Sequence, residues 1–199
     1  MSRPRQDATR LRSFIALELS EQFRQQLGAL AEPLKPCAPG ARFVRPDGSH
    51  LTLRFLGEAS PGQIERLGPA LLAAAQACPP TDATLTGLGL FPAHGSPRVL
   101  WAGFALAEPV LRLQAACEAA AVAAGFVPEA RPFQAHLTLA RWRERAARPP
   151  LTPLRPLTVR LDRMVLFHSE LLPEGARHTA LQVFPLDAVP APDPATAGI

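Results

Sequence analysis

The chain has 199 residues, of which 47% are hydrophobic and 19% are charged, and its formal net charge is +4. This composition is typical of a folded globular protein and excludes wholesale disorder, and no apolar run reaches the ~18 residues that a transmembrane helix requires. Twenty of the 21 basic residues are arginine, which indicates either a compositional bias or a basic surface for an anionic partner such as a phosphate.

The pattern of apolar, capping and turn residues predicts alternating strands and helices. In chain order, the first half contains a strand at 13–19, a helix at 20–34, a short strand at 42–45, a strand at 50–56 and a helix at 60–77. The second half contains strands at 82–90 and 98–106, a helix at 109–125, and strands at 133–141, 157–167 and 179–186. Many strands joined by short connections to few helices predict an α+β fold built on antiparallel sheets.

The segments at the two ends lie outside these elements. We expect a flexible N-terminus at 1–11, a single bilobal domain at 12–188 and a disordered tail at 189–199. The N-terminus has no apolar segment of the kind that directs secretion. The three cysteines are far apart and form no CxxC pair, so we expect a reduced, cytoplasmic protein without disulfides or structural zinc.

One tetrapeptide, HLTL, occurs twice, beginning at His50 and again 86 residues later at His136. Its surroundings repeat as well, because FIALEL begins at Phe14 and WAGFAL begins at Trp101, and a predicted helix follows each before the HLTL strand. A strand–helix–strand unit that recurs at a nearly constant offset indicates an internal duplication. We therefore expect two copies that face each other across a pseudo-two-fold axis, with a groove between them.

The HLTL spacing places a histidine and a threonine on one face of each strand, because residues i and i+2 of a strand point to the same side. His50 and Thr52 then face His136 and Thr138 across the groove. An in-line displacement at phosphorus needs an acid and a base on opposite sides, and two imidazoles supply both near neutral pH. The threonine hydroxyls are expected to bind the non-bridging oxygens. No carboxylate cluster accompanies either histidine, so the pattern predicts no metal and no cofactor.

Two arginines near the HLTL strands are candidates to bind the phosphate, for which arginine is well suited. Strict alternation places Arg54 on the His50 face of its strand. It places Arg141 on the face opposite His136, unless the strand ends or bulges there. Alternation therefore favours Arg54 and leaves Arg141 open. Three further histidines have no counterpart in the repeat and are predicted to be structural or surface residues: His94, His168 and His178.

The paired HLTL strands in a duplicated α+β chain resemble the motifs of the 2H phosphoesterase superfamily. The closer resemblance is to the RNA 2′,3′-cyclic phosphodiesterase family, historically called 2′-5′ RNA ligases. The segments that carry it are RSFIALEL, FVRPDGSHLTLRFLGE, LTGLGLFP with PRVLWAGF, RPFQAHLTLARWR, and VLFHSELLPEGARHTAL with FPL. Together they span about residues 12–186.

The resemblance implies a duplicated bilobal fold in which two antiparallel sheets face a central groove and the helices lie on the outer faces. It implies a phosphoric diester hydrolase that opens the terminal 2′,3′-cyclic phosphate of RNA to a 2′-phosphate without a metal or other cofactor. The partners it implies are RNA 3′ ends, or cyclic-phosphate oligonucleotides and nucleotides. We expect the protein to be a monomer that does not associate with membranes.

The resemblance also implies a role for each motif residue. His50 matches the proton donor to the leaving 3′ oxygen, and His136 matches the base that activates water. Thr52 and Thr138 match the phosphate-binding threonines of the family.

Three further positions follow from the resemblance. The family's arginine after the second motif falls on Arg141, which is expected to be a phosphate ligand with Arg54 as its rival. Phe14 lies in the N-terminal segment where an aromatic ring can stack on a nucleobase. A tyrosine is common in the family where this chain has His178, and the sequence gives no functional account of that difference.

Alternative functions remain open on the sequence. The same fold and chemistry could act on small cyclic nucleotides or 2′-5′-linked oligonucleotides, or could join RNA ends as a reversible 2′-5′ RNA ligase. A protein of another class, an RNA-binding module, would use the histidines only to hydrogen-bond phosphate. The two classes differ in outcome, because an enzyme changes the cyclic phosphate and a binding module returns it intact.

Overall fold

The computed structural model describes residues 10–172 and 175–187. The predicted tail at 189–199 lies outside these residues, and so does nearly all of the predicted N-terminal segment at 1–11. Within that segment, Leu11 already begins the first strand.

The described part of the chain forms nine strands and three α-helices. The strands are β1 (Leu11–Glu18), β2 (Arg42–Phe43), β3 (His50–Ala59), β4 (Thr81–Phe91), β5 (Val99–Ala105), β6 (His136–Arg141), β7 (Thr158–Leu161), β8 (Arg163–Leu172) and β9 (Gly175–Pro185). The helices are α1 (Glu21–Ala31), α2 (Pro61–Gln76) and α3 (Glu108–Ala123).

The start of α2 shows why the helix begins where the sequence predicts. The Ser60 hydroxyl accepts a hydrogen bond from the backbone N–H of Gln63 at 3.3 Å, and the Gln63 side chain accepts one from the backbone N–H of Ser60 at 3.1 Å. This reciprocal pair satisfies two N–H groups that have no partner within the helix. Pro61 follows at the first helical position, where its missing N–H costs nothing.

All strand pairs are antiparallel, and they form two sheets. The first sheet has the order β3-β1-β8-β9, and the second has the order β2-β6-β5-β4-β7. The copies of the repeat are β1-α1-β3 in the first sheet and β5-α3-β6 in the second, and in each copy the HLTL strand pairs with the strand that opens the repeat. The predicted α+β fold with two antiparallel sheets is confirmed.

The predicted strand at 157–167 is wrong as a single element. The chain forms β7 in the second sheet, paired with β4, and after Asp162 it forms β8 in the first sheet, paired with β1. Apolar residues continue on both sides of Asp162, so the sequence reads as one strand. Strand periodicity specifies which side chains share a face, but not which sheet the segment joins.

A single apolar core lies beneath both sheets. The four motif leucines, which alternate with the histidines and threonines, are each at most 3% exposed: Leu51, Leu53, Leu137 and Leu139. α2 packs against α3, and the Cys117 thiol of α3 lies 3.4 Å from the Met164 sulfur of β8. A helix of the second repeat thus packs on a strand of the first sheet, so the two halves share their core. Burial raises the pKa of Cys117 to about 12, which keeps this thiol protonated.

No helix in the described ranges is long and apolar enough to cross a membrane.

Candidate active site

The two motif histidines begin β3 and β6 and are held in the same way. The Nδ1 atom of His50 lies 3.0 Å from the carbonyl oxygen of Gly48, and the Nδ1 atom of His136 lies 2.7 Å from that of Gln134. A carbonyl oxygen only accepts, so Nδ1 carries the proton in both neutral rings and Nε2 is left to meet a substrate. The same hydrogen bond in both copies supports the duplication.

Both histidines are predominantly uncharged at neutral pH in the free protein. Burial, followed by the charge of His178, lowers the pKa of His50 to about 4, and burial lowers the pKa of His136 below its ordinary value. The charge of Arg141 contributes to lowering both pKa values, and His136 adds to the effect on His50. The two histidines and Arg141 therefore lie close enough for their charges to interact.

A β-bulge in β6 decides where Arg141 points. Ala140 and Thr138 pair with consecutive residues of β5, so Leu139 is an extra residue between them. Leu139 and Ala140 are both buried, which displaces the alternation by one position and returns Arg141 to the Thr138 face. The Arg141 Nη2 donates a hydrogen bond to the Thr138 hydroxyl at 3.3 Å. Strict alternation had placed Arg141 on the wrong face.

The same bulge occurs in β3. Arg54 and Thr52 pair with consecutive residues of β1, so Leu53 is the extra residue. Arg54 therefore occupies the interior position that Ala140 has in the other copy. Phe55 occupies the position of Arg141, on the groove face, and is 50% exposed.

The Arg54 side chain makes its contacts inside the protein and does not face the groove. It is 8% exposed, forms an ion pair with Glu118 of α3, and donates to the carbonyl oxygens of Phe55 and Val127. These contacts join β3 to α3 and to the segment that follows it. They correct the expectation that Arg54 rivals Arg141 for the phosphate, because its guanidinium is already held by three internal acceptors.

The Phe14 ring packs against one face of the His50 ring. The Phe14 ring is 3% exposed, stacks on His50 with centroids 4.5 Å apart, and stacks on Phe167 at 5.1 Å. This burial corrects the expectation that Phe14 stacks on a nucleobase, because its faces are already covered. In the second copy Trp101 pairs with Thr138 as Ala16 pairs with Thr52, and its ring centroid lies 6.2 Å from that of His136.

His178 belongs to the site, although it was predicted to be a structural or surface residue. It lies in β9, and its ring meets the His50 ring at 5.0 Å with an interplanar angle of 89°. Its Nδ1 is buried and has no hydrogen-bond partner among the described residues. β9 and β3 are opposite edges of the four-stranded sheet, so the sheet curls strongly to bring the two rings together.

Arg12 is a second residue that the sequence reasoning missed. It lies on β1 two residues before Phe14, and therefore on the groove face, with its side chain exposed. Burial, followed by the charge of Arg12, lowers the pKa of Arg141 and of His178, which places Arg12 close to both. The signal was present in the i, i+2 spacing, but the strand predicted at 13–19 began too late to include it.

Comparison with known proteins agrees with this geometry. The family model described as LigT-like phosphoesterase matches residues 17–101 and 105–178, which include both HLTL strands. The chain belongs to the LigT-like phosphoesterase family. Within the described ranges, no three His, Cys, Asp or Glu side chains of this phosphoesterase come together as a group that could hold a metal ion.

Relatives of this LigT-like phosphoesterase match it along nearly its whole length. The RNA 2′,3′-cyclic phosphodiesterase of Thermus thermophilus is 36% identical over 186 residues, covering 88% of this chain and 90% of the relative. The RNA 2′,3′-cyclic phosphodiesterase of Methanothermobacter thermautotrophicus is 29% identical over 184 residues, covering 89% of this chain and 100% of the relative.

Solved structures share the fold of this LigT-like phosphoesterase. The crystal structure of a Thermus thermophilus protein matches with a TM-score of 0.80 at 33% identity, covering 90% of this chain and 100% of that one. E. coli LigT complexed with 3′-AMP matches with a TM-score of 0.75 at 26% identity, covering 89% of this chain and 98% of that one. The family predicted from the HLTL repeat is confirmed, and so is the prediction of an enzyme of the phosphoesterase class.

Proposed function

We propose that the protein hydrolyses the terminal 2′,3′-cyclic phosphate of RNA to a 2′-phosphate, with His50 and His136 as acid and base. The observation that carries the proposal is the pair of histidines held through Nδ1 at the start of equivalent strands, each followed by a threonine on the same face. The names of the relatives from Thermus thermophilus and Methanothermobacter thermautotrophicus support the RNA substrate.

The proposed chemistry gives each histidine the role that the family resemblance implies. Nε2 of His136 takes a proton from water as the water oxygen forms a bond to phosphorus. The bond from phosphorus to the 3′ oxygen breaks, and this oxygen takes a proton from Nε2 of His50. The phosphate stays on the 2′ oxygen, one water is consumed, and one proton has moved from His50 to His136. Solvent exchange returns both rings to their starting states.

The pKa of His50 makes its role as the acid depend on the substrate. A ring with a pKa of about 4 holds almost no proton at neutral pH in the free protein. The phosphate in the cleft carries a negative charge, which favours the protonated imidazole and raises its pKa. Substrate binding and protonation of His50 are therefore coupled, and the acid is formed when the substrate is in place.

Four further side chains are proposed to bind the substrate. The hydroxyls of Thr52 and Thr138 donate to the non-bridging oxygens of the phosphate, and Arg141 neutralises the charge that develops on them. Phe55 takes the base-stacking role first expected of Phe14, because it faces the groove and is half exposed.

The test is the hydrolysis of an oligoribonucleotide with a 2′,3′-cyclic phosphate in the presence of EDTA, with identification of the product. We expect a 2′-phosphate and no need for a metal. Acid–base groups contribute roughly 10²–10⁴-fold to such reactions, so His50→Ala and His136→Ala should lose at least about a hundredfold in kcat. His94→Ala, an exposed loop histidine, is the matched control. Full activity of either motif variant would reject the proposal.

The remaining alternatives are outcomes of the same assay. A faster reaction with small cyclic nucleotides or 2′-5′-linked oligonucleotides would change the substrate, and formation of a 2′-5′ bond would show reversible ligation. Recovery of the intact cyclic phosphate would indicate an RNA-binding module. We also propose that the protein is a cytoplasmic monomer, because one chain supplies both halves of the site. Sedimentation velocity tests the oligomeric state.

A further inference from the structure

A cavity of about 670 Å³ opens beside the distal half of β3, beyond the groove. Phe55 lines the cavity on the side nearer the HLTL residues, and the lining continues to Glu58 on β3, to Arg66 on α2 and to Arg10. Its volume lies within the ~300–1,000 Å³ that is usual for ligand sites. Of the residues that line the cavity, the reaction proposed above uses only Phe55.

Two arginines that line the cavity have no ion pair among the described residues, against one such lining carboxylate, Glu58, so the uncompensated charge of the lining is positive. The two arginines are Arg10 and Arg66. The Arg66 Nη2 donates to the carbonyl oxygen of Ala124 at 3.1 Å, which fixes its guanidinium and leaves other N–H groups for a ligand. Glu129 also lines the cavity, but Arg131 binds it at 3.0 Å and lowers its pKa to about 2.

Cationic side chains connect the cavity to the histidines. Arg10 lies two residues before Arg12, and Arg12 pairs across the strands with Glu58 of β3, a carboxylate that lines the cavity. On its other side, Arg12 lies close enough to Arg141 to affect its pKa, and Arg141 bonds to Thr138. A series of four arginines therefore leads from the phosphate-binding hydroxyls to the cavity: Arg141, Arg12, Arg10 and Arg66.

We propose that this cavity binds a backbone phosphate of the RNA strand upstream of the terminal cyclic phosphate, with Phe55 stacked on a base along the way. The proposal rests on the proposed function, because it assigns the path of the strand whose end reacts at the histidines. Arginine–phosphate contacts position a strand without reading its bases, and stacking on an aromatic ring tolerates any base. The Phe55 ring lies 6.1 Å from the Phe14 ring, which lies 4.5 Å from the His50 ring, so Phe55 borders the reacting groups and the rest of the cavity extends beyond it. Only a substrate with an upstream phosphate reaches past Phe55 to Arg66.

The test compares a nucleoside 2′,3′-cyclic phosphate, which has no upstream phosphate, with cyclic-phosphate oligoribonucleotides of increasing length that end in the same base. For the wild type we expect kcat/KM to rise with length and then to level off. Arg10→Gln and Arg66→Gln should lower kcat/KM for the long substrates by roughly three- to tenfold and leave the nucleoside substrate unchanged. Each should also reduce the slope of log kcat/KM against log salt by about one.

Arg112→Gln is the matched control, because it removes the same charge from the exposed face of α3. Equal kcat/KM for nucleoside and long substrates in the wild type overturns the proposal. An equal loss for both kinds of substrate in Arg66→Gln, or the same loss in Arg112→Gln, also overturns it.

Failure of the proposed function gives a different result, namely that no substrate is opened by any of these proteins. In that case, fluorescence anisotropy measures the Kd of a labelled oligoribonucleotide 2′-phosphate. Weaker binding by Arg66→Gln, with unchanged binding by Arg112→Gln, supports the cavity as a strand-binding site. Unchanged binding by both variants rejects it.

Discussion

His50 is the more enclosed of the two motif histidines, and its neighbours explain its chemistry. Phe14 covers one side of its ring and His178 contacts it edge to face, so water is displaced from around the imidazole. An imidazolium loses hydration in such a place, which is why burial is the main cause of the low pKa. No acidic group contributes to the shifted pKa of His50, and in the proposed mechanism the substrate phosphate supplies the negative charge.

We expect His178→Gln to move the pH dependence of kcat/KM to higher pH. The profile of kcat/KM reports the pKa values of the free enzyme, and both motif histidines titrate below 6.5, so the wild-type optimum lies below pH 6.5. The charge of His178 lowers the pKa of His50, so a neutral side chain there raises it. The acidic limb of the profile should then shift upward, as measured in initial rates between pH 4 and 8.

His168→Gln is the control for this variant, because His168 lies on the neighbouring strand β8 and does not contribute to the shifted pKa of His50. Its profile should match that of the wild type. An unchanged acidic limb in His178→Gln would show that His178 has only a packing role.

The residues that sequence alone could identify are those that repeat. His50, Thr52, His136 and Thr138 stand out because identical spacing recurs in equivalent strands, and spacing of two is enough to place them on one face. His178 has no counterpart in the repeat. Its contact with His50 depends on the curl of a four-stranded sheet, which no local pattern encodes.

At the scale of the strand, a bulge at the same position of β3 and β6 turns different side chains toward the groove in the two copies. The residue after HLTL is buried and the next faces the groove, so Arg54 and Phe55 in β3 correspond to Ala140 and Arg141 in β6. The first repeat thus offers an aromatic ring where the second offers a guanidinium. In proteins generally, aromatic rings stack on bases and guanidinium groups bind phosphates, so the two strands offer complementary kinds of contact.

The bulges also explain why alternation predicted the wrong face for both Arg54 and Arg141. A bulge is a property of the register between two strands, and the inserted Leu53 and Leu139 look like ordinary core residues in the sequence. The resemblance to the family pointed to Arg141 independently of alternation. The helix start at Ser60, in contrast, was readable because capping depends on residues three positions apart.

The two arginines are expected to differ in what their loss affects. Arg54→Leu leaves Glu118 and two backbone acceptors without their partner, so we expect the free energy of unfolding to fall by about 2–4 kcal/mol. Arg141→Leu should leave the free energy of unfolding within ~0.5 kcal/mol of the wild type and lower kcat/KM at least about tenfold. Urea unfolding and initial rates measure the two effects.

The double variant Arg54→Leu with Glu118→Leu is the control for the ion pair. Removing both charges should recover part of the lost stability, because no unpaired carboxylate remains. An equal decrease in the free energy of unfolding in Arg54→Leu and Arg141→Leu would contradict the structural role assigned to the buried contacts of Arg54.

At the scale of the whole molecule, the two repeats are interlocked rather than separate. The chain leaves the second sheet at Asp162 and returns to the first, where β8 and β9 complete the sheet that contains the first HLTL strand. The C-terminal hairpin thereby supplies Phe167 and His178 to the surroundings of His50. The sequence predicted the duplication, but this crossover is a matter of topology and is invisible in the periodicity of β7 and β8.

The burial of His50 should make the free energy of unfolding of the whole fold depend on pH. His50 has an ordinary pKa of 6.5 and a pKa of about 4 in the folded protein. Below pH 6.5 the unfolded chain binds a proton that the folded chain does not, so the free energy of unfolding falls as the pH drops to about 4. The loss from this group is on the order of 3 kcal/mol at most, and above pH 6.5 its contribution is fully present.

Urea unfolding of the wild type and of His50→Asn, at pH 7 and pH 4.5, measures this coupling. The carboxylates titrate in both proteins, so their effect cancels in the difference between the two. The wild type should lose more stability than His50→Asn between these pH values, while His94→Asn, altered on the exposed loop, should follow the wild type. An equal loss in wild type and His50→Asn would show that the imidazole is hydrated in the free protein, and that its proton does not depend on the substrate.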